Sequence, residues 1–402
     1  MDQMLLERRN ESLLKPELAE NAWQRWLLCI GTLYSLLLIP VWDSALVPLM
    51  ALSAFLLACY FGAARQFWQD YRKVVFWFSL LVALNTSLSP LPVRAGLGAV
   101  YLLRGLLLIL PAIVLMQVTT PEQRSRALSG IIAVASLVAS GLLIWVWSSA
   151  ENYQAVVVFT GQYFGNLHNL ASATAMVLIA ALVWAWVSET ARQRIGWLLV
   201  AVPLLVLMLT LRSEGTLIAL CMVVAGVAML FGAFWLRLLA FLGILSLVAA
   251  LHLLYLYPAE GQQILGMSLG SVVQRVQLYE ALVQAWQQSP WFGWGMNTYK
   301  YLPVSSLDGV SFIYPHHIYL EALFSVGVVG LLLMVLMLRA LGHAVDWHYV
   351  RRQPIALIAF LILCYLAGKG MTDMKLFSAQ TFSMVALCLG LMSRPANIDR
   401  AV

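Results

Sequence analysis

Residues 196–211 read GWLLVAVPLLVLMLTL, the next five, 212–216, read RSEGT, and an apolar run resumes at once as TLIALCMVVAGVAMLF, ending at residue 231. A membrane span needs about 20 mostly apolar residues, and two runs near that length around one polar turn read as a pair of spans. The rest of the chain repeats the pattern. Of its 402 residues, 62% are hydrophobic and only 10% are charged, where a soluble domain carries about 25% charged residues. This excludes a soluble globular protein. The expected fold is all-α: one integral membrane domain over 1–402, with about twelve transmembrane helices.

Apolar runs bounded by charge or Pro begin near residues 24, 44, 74, 96, 127, 169, 196, 216, 238, 317, 355 and 376. The opening, 1–22, is polar, and the run that starts near Trp23 does not look like a cleaved signal peptide. One set of connectors holds Arg65, Arg72, Lys73, Arg124, Arg126, Arg192, Arg194, Arg237, Arg339, Arg351 and Arg352. With both termini it carries 17 of the 24 Lys and Arg residues. The positive-inside rule makes these connectors cytoplasmic, together with segment 1–22 and the tail 394–402. The other side keeps Arg94, Arg104, Arg212, Arg275, Lys300, Lys369 and Lys375. The five cysteines, Cys29, Cys59, Cys221, Cys364 and Cys388, all lie inside apolar runs and read as small core hydrophobes. No internal repeat of transporter type is visible.

Outer connectors are short except for 148–168 and a loop of nearly sixty residues, 258–315. Loops that long in compact proteins are usually functional. Within it SVVQRVQLYEALVQAWQQ, from Ser271 to Gln288, reads as an amphipathic helix with Val272, Val276, Tyr279, Val283 and Trp286 at helical spacing, ended by Pro290. Too polar to span, it lies on the membrane surface or caps the bundle.

Ionisable groups in lipid-facing sequence are costly and point to function. Arg104 falls well inside the fourth span, either lining a cavity or paired with an acid. Arg212 is either a turn cation anchored at headgroups or a bidentate ligand for an anion; Thr216, in the same turn, can cap the following helix. His316 and His317 stand where the long loop re-enters the membrane. Neighbours on a helix diverge by about 100°, which keeps them from sharing a metal; His317 can pair with Glu321, freeing His316 to face a cavity. His168, in GQYFGNLHNLA, serves helix-entry hydrogen bonding or the site. The outer acids show no divalent-cation spacing, so no metal and no cofactor are expected. An outward site rich in cations and poor in acids suits a phosphate-bearing ligand.

HHIYLEALFSVGVVG resembles the signature of the bacterial O-antigen ligases and of the larger group that also holds O-antigen polymerases and protein O-oligosaccharyltransferases. In that signature a His is followed by a small polar residue, nine free positions, Gly, two more, and Gly. His316, Gly327 and Gly330 fit, and His317 departs from the usual Asn, Ser or Gln. LRSEGT resembles the group's outer-loop segment with Arg212 as its Arg. RVQLY with SPWFGWG resembles its long-loop pattern, matched by Arg275, Pro290, Gly293 and Gly295. FGNLHNLA resembles the motif before the sixth span, with His168 where Pro is usual.

The resemblance implies a GT-C-like glycosyltransferase architecture in the bacterial inner membrane, its active site facing the periplasm. It implies an O-antigen ligase that moves polysaccharide from undecaprenyl pyrophosphate to a sugar of lipid A core, with inversion. His316, Arg212 and Arg275 would be catalytic; Arg94, Arg104, His168, His317 and Lys369 would contact substrate. The competing readings are a polymerase or protein oligosaccharyltransferase using the same donor and, from a different class, a flippase or transporter.

Overall fold

Start and stop signals written in the sequence set the helix boundaries, beginning with prolines at first helical positions and short polar caps. A computed structural model of the chain describes residues 31–32, 63–148, 150–163, 167–211, 213–256, 270–302, 306–307, 310–311, 315–372 and 374–393. The spans expected near 24 and 44, apart from residues 31–32, lie outside the described residues, as do Arg212, Asp373 and the segments 1–22 and 394–402.

The described helices are α1 (Ala63–Leu88), α2 (Pro92–Leu106), α3 (Ile109–Val118), α4 (Pro121–Ser148), α5 (Ala150–Tyr163), α6 (Leu167–Val187) and α7 (Ala191–Thr210). They continue with α8 (Glu214–Phe231), α9 (Phe234–Leu256), α10 (Gly270–Gln287), α11 (Ile318–Ala344), α12 (Trp347–Arg352), α13 (Pro354–Lys369) and α14 (Ala379–Met392). The only strands among the described residues are β1 (Ser306–Leu307) and β2 (Val310–Ser311), a two-residue antiparallel pairing. Four helices, α4, α6, α7 and α11, are long and apolar enough to cross a membrane.

Pro92 and Pro354 open α2 and α13, where a missing N–H costs nothing. Thr190, Asp346 and Ser378 accept first-turn N–H groups at the starts of α7, α12 and α14. The run expected to form one span from about residue 96 is instead two helices. Pro111 lacks an N–H and its ring crowds the carbonyl of residue 107, so the helix stops at Leu106 and restarts at Ile109. Arg104 therefore sits in the last turn of α2 rather than in the middle of an unbroken span. The outer connector 148–168 is also largely helical, as α5.

At the centre lies α6, where every residue from Ala171 to Ala181 is buried, the mark of a helix apolar on all sides and enclosed by others. It packs against α7 and α13, and α13 in turn packs against α8 and α14. Outward-facing α4 keeps Val134, Leu137 and Ile144 well exposed, an apolar surface that lipid covers and water would penalise. The α8–α13 pair crosses closely because small residues line the seam: a Cβ on Gly368 would stand 2.7 Å from the Ala219 Cα, and one on Gly215 would run into Thr372 Oγ1. That close approach brings the end of α13 against the turn before α8.

Candidate functional site

A long-loop segment and a broken helix meet at one end of the bundle. Gly327, inside α11, has φ 65° and ψ −171°, a conformation closed to residues with a side chain. In an unbroken helix the N–H groups of Val328 and Val329 would donate to the carbonyls of Phe324 and Ser325. Here Val328 N and Val329 N donate to Pro290 O and Trp291 O at 2.9 and 3.0 Å. The freed carbonyls of Phe324 and Ser325 accept from Trp294 N and Gly295 N at 3.0 and 2.9 Å. Two helical bonds are thus exchanged for four that splice residues 290–295 into α11. Backbones this close leave no room for side chains: a Cβ on Gly327 would lie 2.5 Å from the Trp291 carbonyl, and one on Gly293 2.5 Å from that of Ser325.

Asn85 of α1, 3% exposed, locks the splice. Its Nδ2 donates to Phe292 O at 3.0 Å and Ser325 O at 2.8 Å, and its Oδ1 accepts from Met296 N at 2.9 Å. Helix α10 leads into this loop with Leu278, Tyr279 and Leu282 buried against Phe324. Of the expected stripe, Tyr279 lies in this cluster and Val283 and Trp286 are half-buried; the side chains of Val272 and Val276 lie outside the described residues. Packing on α11 selects Leu278 and Leu282, which simple spacing had left on the flank, and α10 rests on the bundle.

At the head of α11 the two histidines differ. His317 is extended, φ −153°, and its Nδ1 accepts from Leu320 N at 3.2 Å, capping the helix. Its ring meets Tyr279 edge-on at 5.3 Å. Burial pushes it down to about 4, in keeping with a ring that must stay neutral to accept at Nδ1. The expected His317–Glu321 pair is not formed. Glu321, fully buried, instead accepts from Leu376 N at 2.6 Å through Oε2, tying α11 to the connection after α13. His316 is half-buried and takes a left-handed backbone, φ 57°, disfavoured for a non-glycine residue and frequent at functional positions. Next to it, Ile318 N donates to Gly370 O at 2.8 Å, holding this segment against the end of α13.

Lys369 closes α13 and is 4% exposed. Its Nζ donates to Ser213 Oγ and Thr216 Oγ1, both at 3.3 Å, and those hydroxyls are 2.8 Å apart. His168 Nδ1 lies 3.1 Å from Ser213 Oγ, and Tyr365 donates to Thr216 Oγ1 at 3.4 Å. Thr216 is therefore a buried member of the cluster rather than the cap of α8; Ser213 holds the cap position, with its side chain committed to the cluster. Beside these groups opens a cavity of about 210 Å³ whose lining includes His168, Asn169, Lys369, Lys375 and Gln380 and, among the described residues, no acid. A pocket with two ammonium groups and several hydroxyl and amide donors can hold an anion.

The structure thus brings His168 and Lys369 together on one cavity and sets His316 and His317 beside Gly370. Arg94 stands apart, exposed, its guanidinium 4.4 Å from the Tyr301 ring. Arg275 lies in the second turn of α10 and Arg104 in the last turn of α2, their side chains outside the described residues; Arg212 is outside altogether. Among the described residues no three His, Cys, Asp or Glu side chains gather as a metal site would require. Sequence reasoning missed Asn85, Tyr365 and Lys375 as site-building residues. Asn85, a lone amide in the apolar run FSLLVALNTSL, carried the signal.

Residues 198–335 match the O-antigen ligase family. The match runs from α7 into α11 and takes in Arg212, Arg275, the spliced segment 290–295, His316 and both signature glycines. It supports an O-antigen ligase or polymerase type of membrane protein in general. No curated protein matches the chain. Outside the O-antigen ligase region lie Arg94, Arg104, His168, Lys369 and Lys375, two of which, Lys369 and His168, bond directly to a residue within it, Ser213.

Proposed function

We propose that the protein is an O-antigen ligase. It transfers polysaccharide from undecaprenyl pyrophosphate to a sugar hydroxyl of lipid A core, at the periplasmic face of the bacterial inner membrane and without a metal. His316 takes the proton from the acceptor hydroxyl as its oxygen bonds to the anomeric carbon. The carbon–oxygen bond to pyrophosphate breaks in the same displacement, the pair of electrons leaves with the phosphate, and the anomeric centre inverts. Arg212 and Arg275 hold the developing charge, and Lys369 adds a third cation from the buried cluster. His317 keeps the head of α11 in place and leaves the proton to His316.

One observation carries this reading: the family-matched segment with His316 is bonded, through Ile318 N, to Gly370, adjacent to the buried Lys369 on a cavity that shows no acid among the described residues. The test is reconstitution with lipid-linked polysaccharide and purified lipid A core. The wild type should yield joined product, and His316→Ala should insert normally and yield none. Wild-type turnover by His316→Ala removes it as the base, and growth of the donor chain with no joining to lipid A core makes the protein a polymerase.

A further inference from the structure

Around Tyr301, on the loop after α10, three cations converge. The Arg94 guanidinium lies 4.4 Å and the Lys300 ammonium 5.1 Å from the ring centroid. Lys375 is near enough to feel both Lys300 and Tyr301, and its Nζ donates to Asn297 Oδ1 at 2.6 Å. Asn297 adopts φ 59°, so the loop holds a non-glycine residue in a disfavoured conformation while it presents that oxygen. In a chain with 10% charged residues, a concentration of like charge needs a reason. Among the described residues neither Arg94 nor Lys300 is within ion-pair reach of an acid, and the tyrosine ring offsets them only in part. Burial and the neighbouring Lys300 both press Lys375 toward its neutral form, opposed by Glu321; an anion at this place would relieve that pressure.

We propose that Arg94, Lys300 and Lys375, arranged about Tyr301, dock an oxyanion carried by the acceptor saccharide, a sugar phosphate above all. This rests on the transferase reading above and names what the acceptor must bear. Lys375 belongs to both places: it lines the cavity beside Lys369, and its Nζ bonds Asn297, three residues before Lys300. Buried Lys369 suits the diphosphate of the donor, which needs its charge held away from water. The Arg94–Lys300 rim is exposed and suits a bulky ligand arriving from the aqueous side, whose sugar ring can lie on Tyr301, 45% exposed. A shared lysine would set the two ligands side by side, as direct transfer demands.

The experiment measures binding of purified lipid A core, native and phosphatase-treated, to the detergent-solubilised full-length protein. Arg94→Ala, Lys300→Ala, the double variant and Arg94→Lys are compared with wild type. Wild type should prefer the phosphorylated form by about tenfold, and each alanine should weaken that form roughly two- to fivefold, the scale of one exposed charge contact. The double variant should lose the preference, Arg94→Lys should keep most of it, and added salt should shrink it. Equal wild-type affinity for both forms overturns the proposal. So does equal weakening of both forms in the variants, which marks a structural role, and displacement by phosphatidylglycerol micelles as effective as by native core, which marks a headgroup site. Because binding is read without turnover, a preserved phosphate preference in a protein that transfers nothing would remove the ligase reading and leave this site standing.

Discussion

Nδ1 of His317 is committed to Leu320 N, a capping role that sets it apart from its neighbour His316. Asn carries an amide oxygen that can cap a helix as His317 does, so His317→Asn should keep transfer within a few-fold of wild type. Stability supplies a second readout. The folded state holds His317 near 4, below its ordinary 6.5, so the unfolded chain takes up a proton that the folded chain refuses. The contribution of His317 is full above about pH 6.5 and is lost as pH falls toward 4. Melting of the wild type in detergent should drop across that window and flatten in His317→Asn; an unchanged slope would deny His317 its buried, neutral state. Register against the family signature singled out His316 from sequence. Its left-handed backbone could not be read there, since no glycine or asparagine marks the position.

At the scale of elements, the splice between residues 290–295 and α11 explains why glycines stand at 293 and 327. Gly327→Ala meets both a forbidden backbone conformation and the Trp291 carbonyl, and should cost at least about 3 kcal/mol. Asn85→Ala removes three hydrogen bonds to buried backbone groups and should cost roughly 2–4 kcal/mol. Both should appear as lowered melting temperatures with reduced transfer, and a Gly327→Ala protein as stable as wild type would show that the break is not required. Helix existence was legible in the apolar runs: eight of the twelve expected starts fall on described helices, and two more, 317 and 376, stand within three residues of the starts of α11 and α14. The break at Pro111 was legible in principle from the proline itself. The break at Gly327 was not, because nothing local distinguishes this glycine from Gly330, three residues on; its cause is the backbone of a segment over thirty residues away. The burial of Leu278 and Leu282 was not foreseen for the same reason, since it comes from tertiary packing on Phe324 rather than from spacing.

For the molecule as a whole, charge scarcity left a short list to follow: of the seven basic residues expected on the outer side, Lys369 and Lys375 share a cavity, and Arg94 and Lys300 share a ring. What composition could not supply was the assembly of Ser213, Thr216, Tyr365 and Lys369, which depends on the tight α8–α13 seam. Because side chains supply the positive charge and the outer acids lack the spacing of a divalent site, transfer in the reconstituted system should persist in EDTA. Activity lost to the chelator and restored by a divalent cation would refute that expectation. The splice bears on covalent continuity as well. Residues 290–295 are fastened to α11 by four backbone bonds and to α1 by Asn85, so the peptide chain between them is not what keeps them together. A protease site engineered at 303–305 and cut after folding should leave two fragments that copurify in detergent, held by the splice and by the packing of α13 on α6 and α8; fragments that separate on cleavage alone would show that the chain connection is needed.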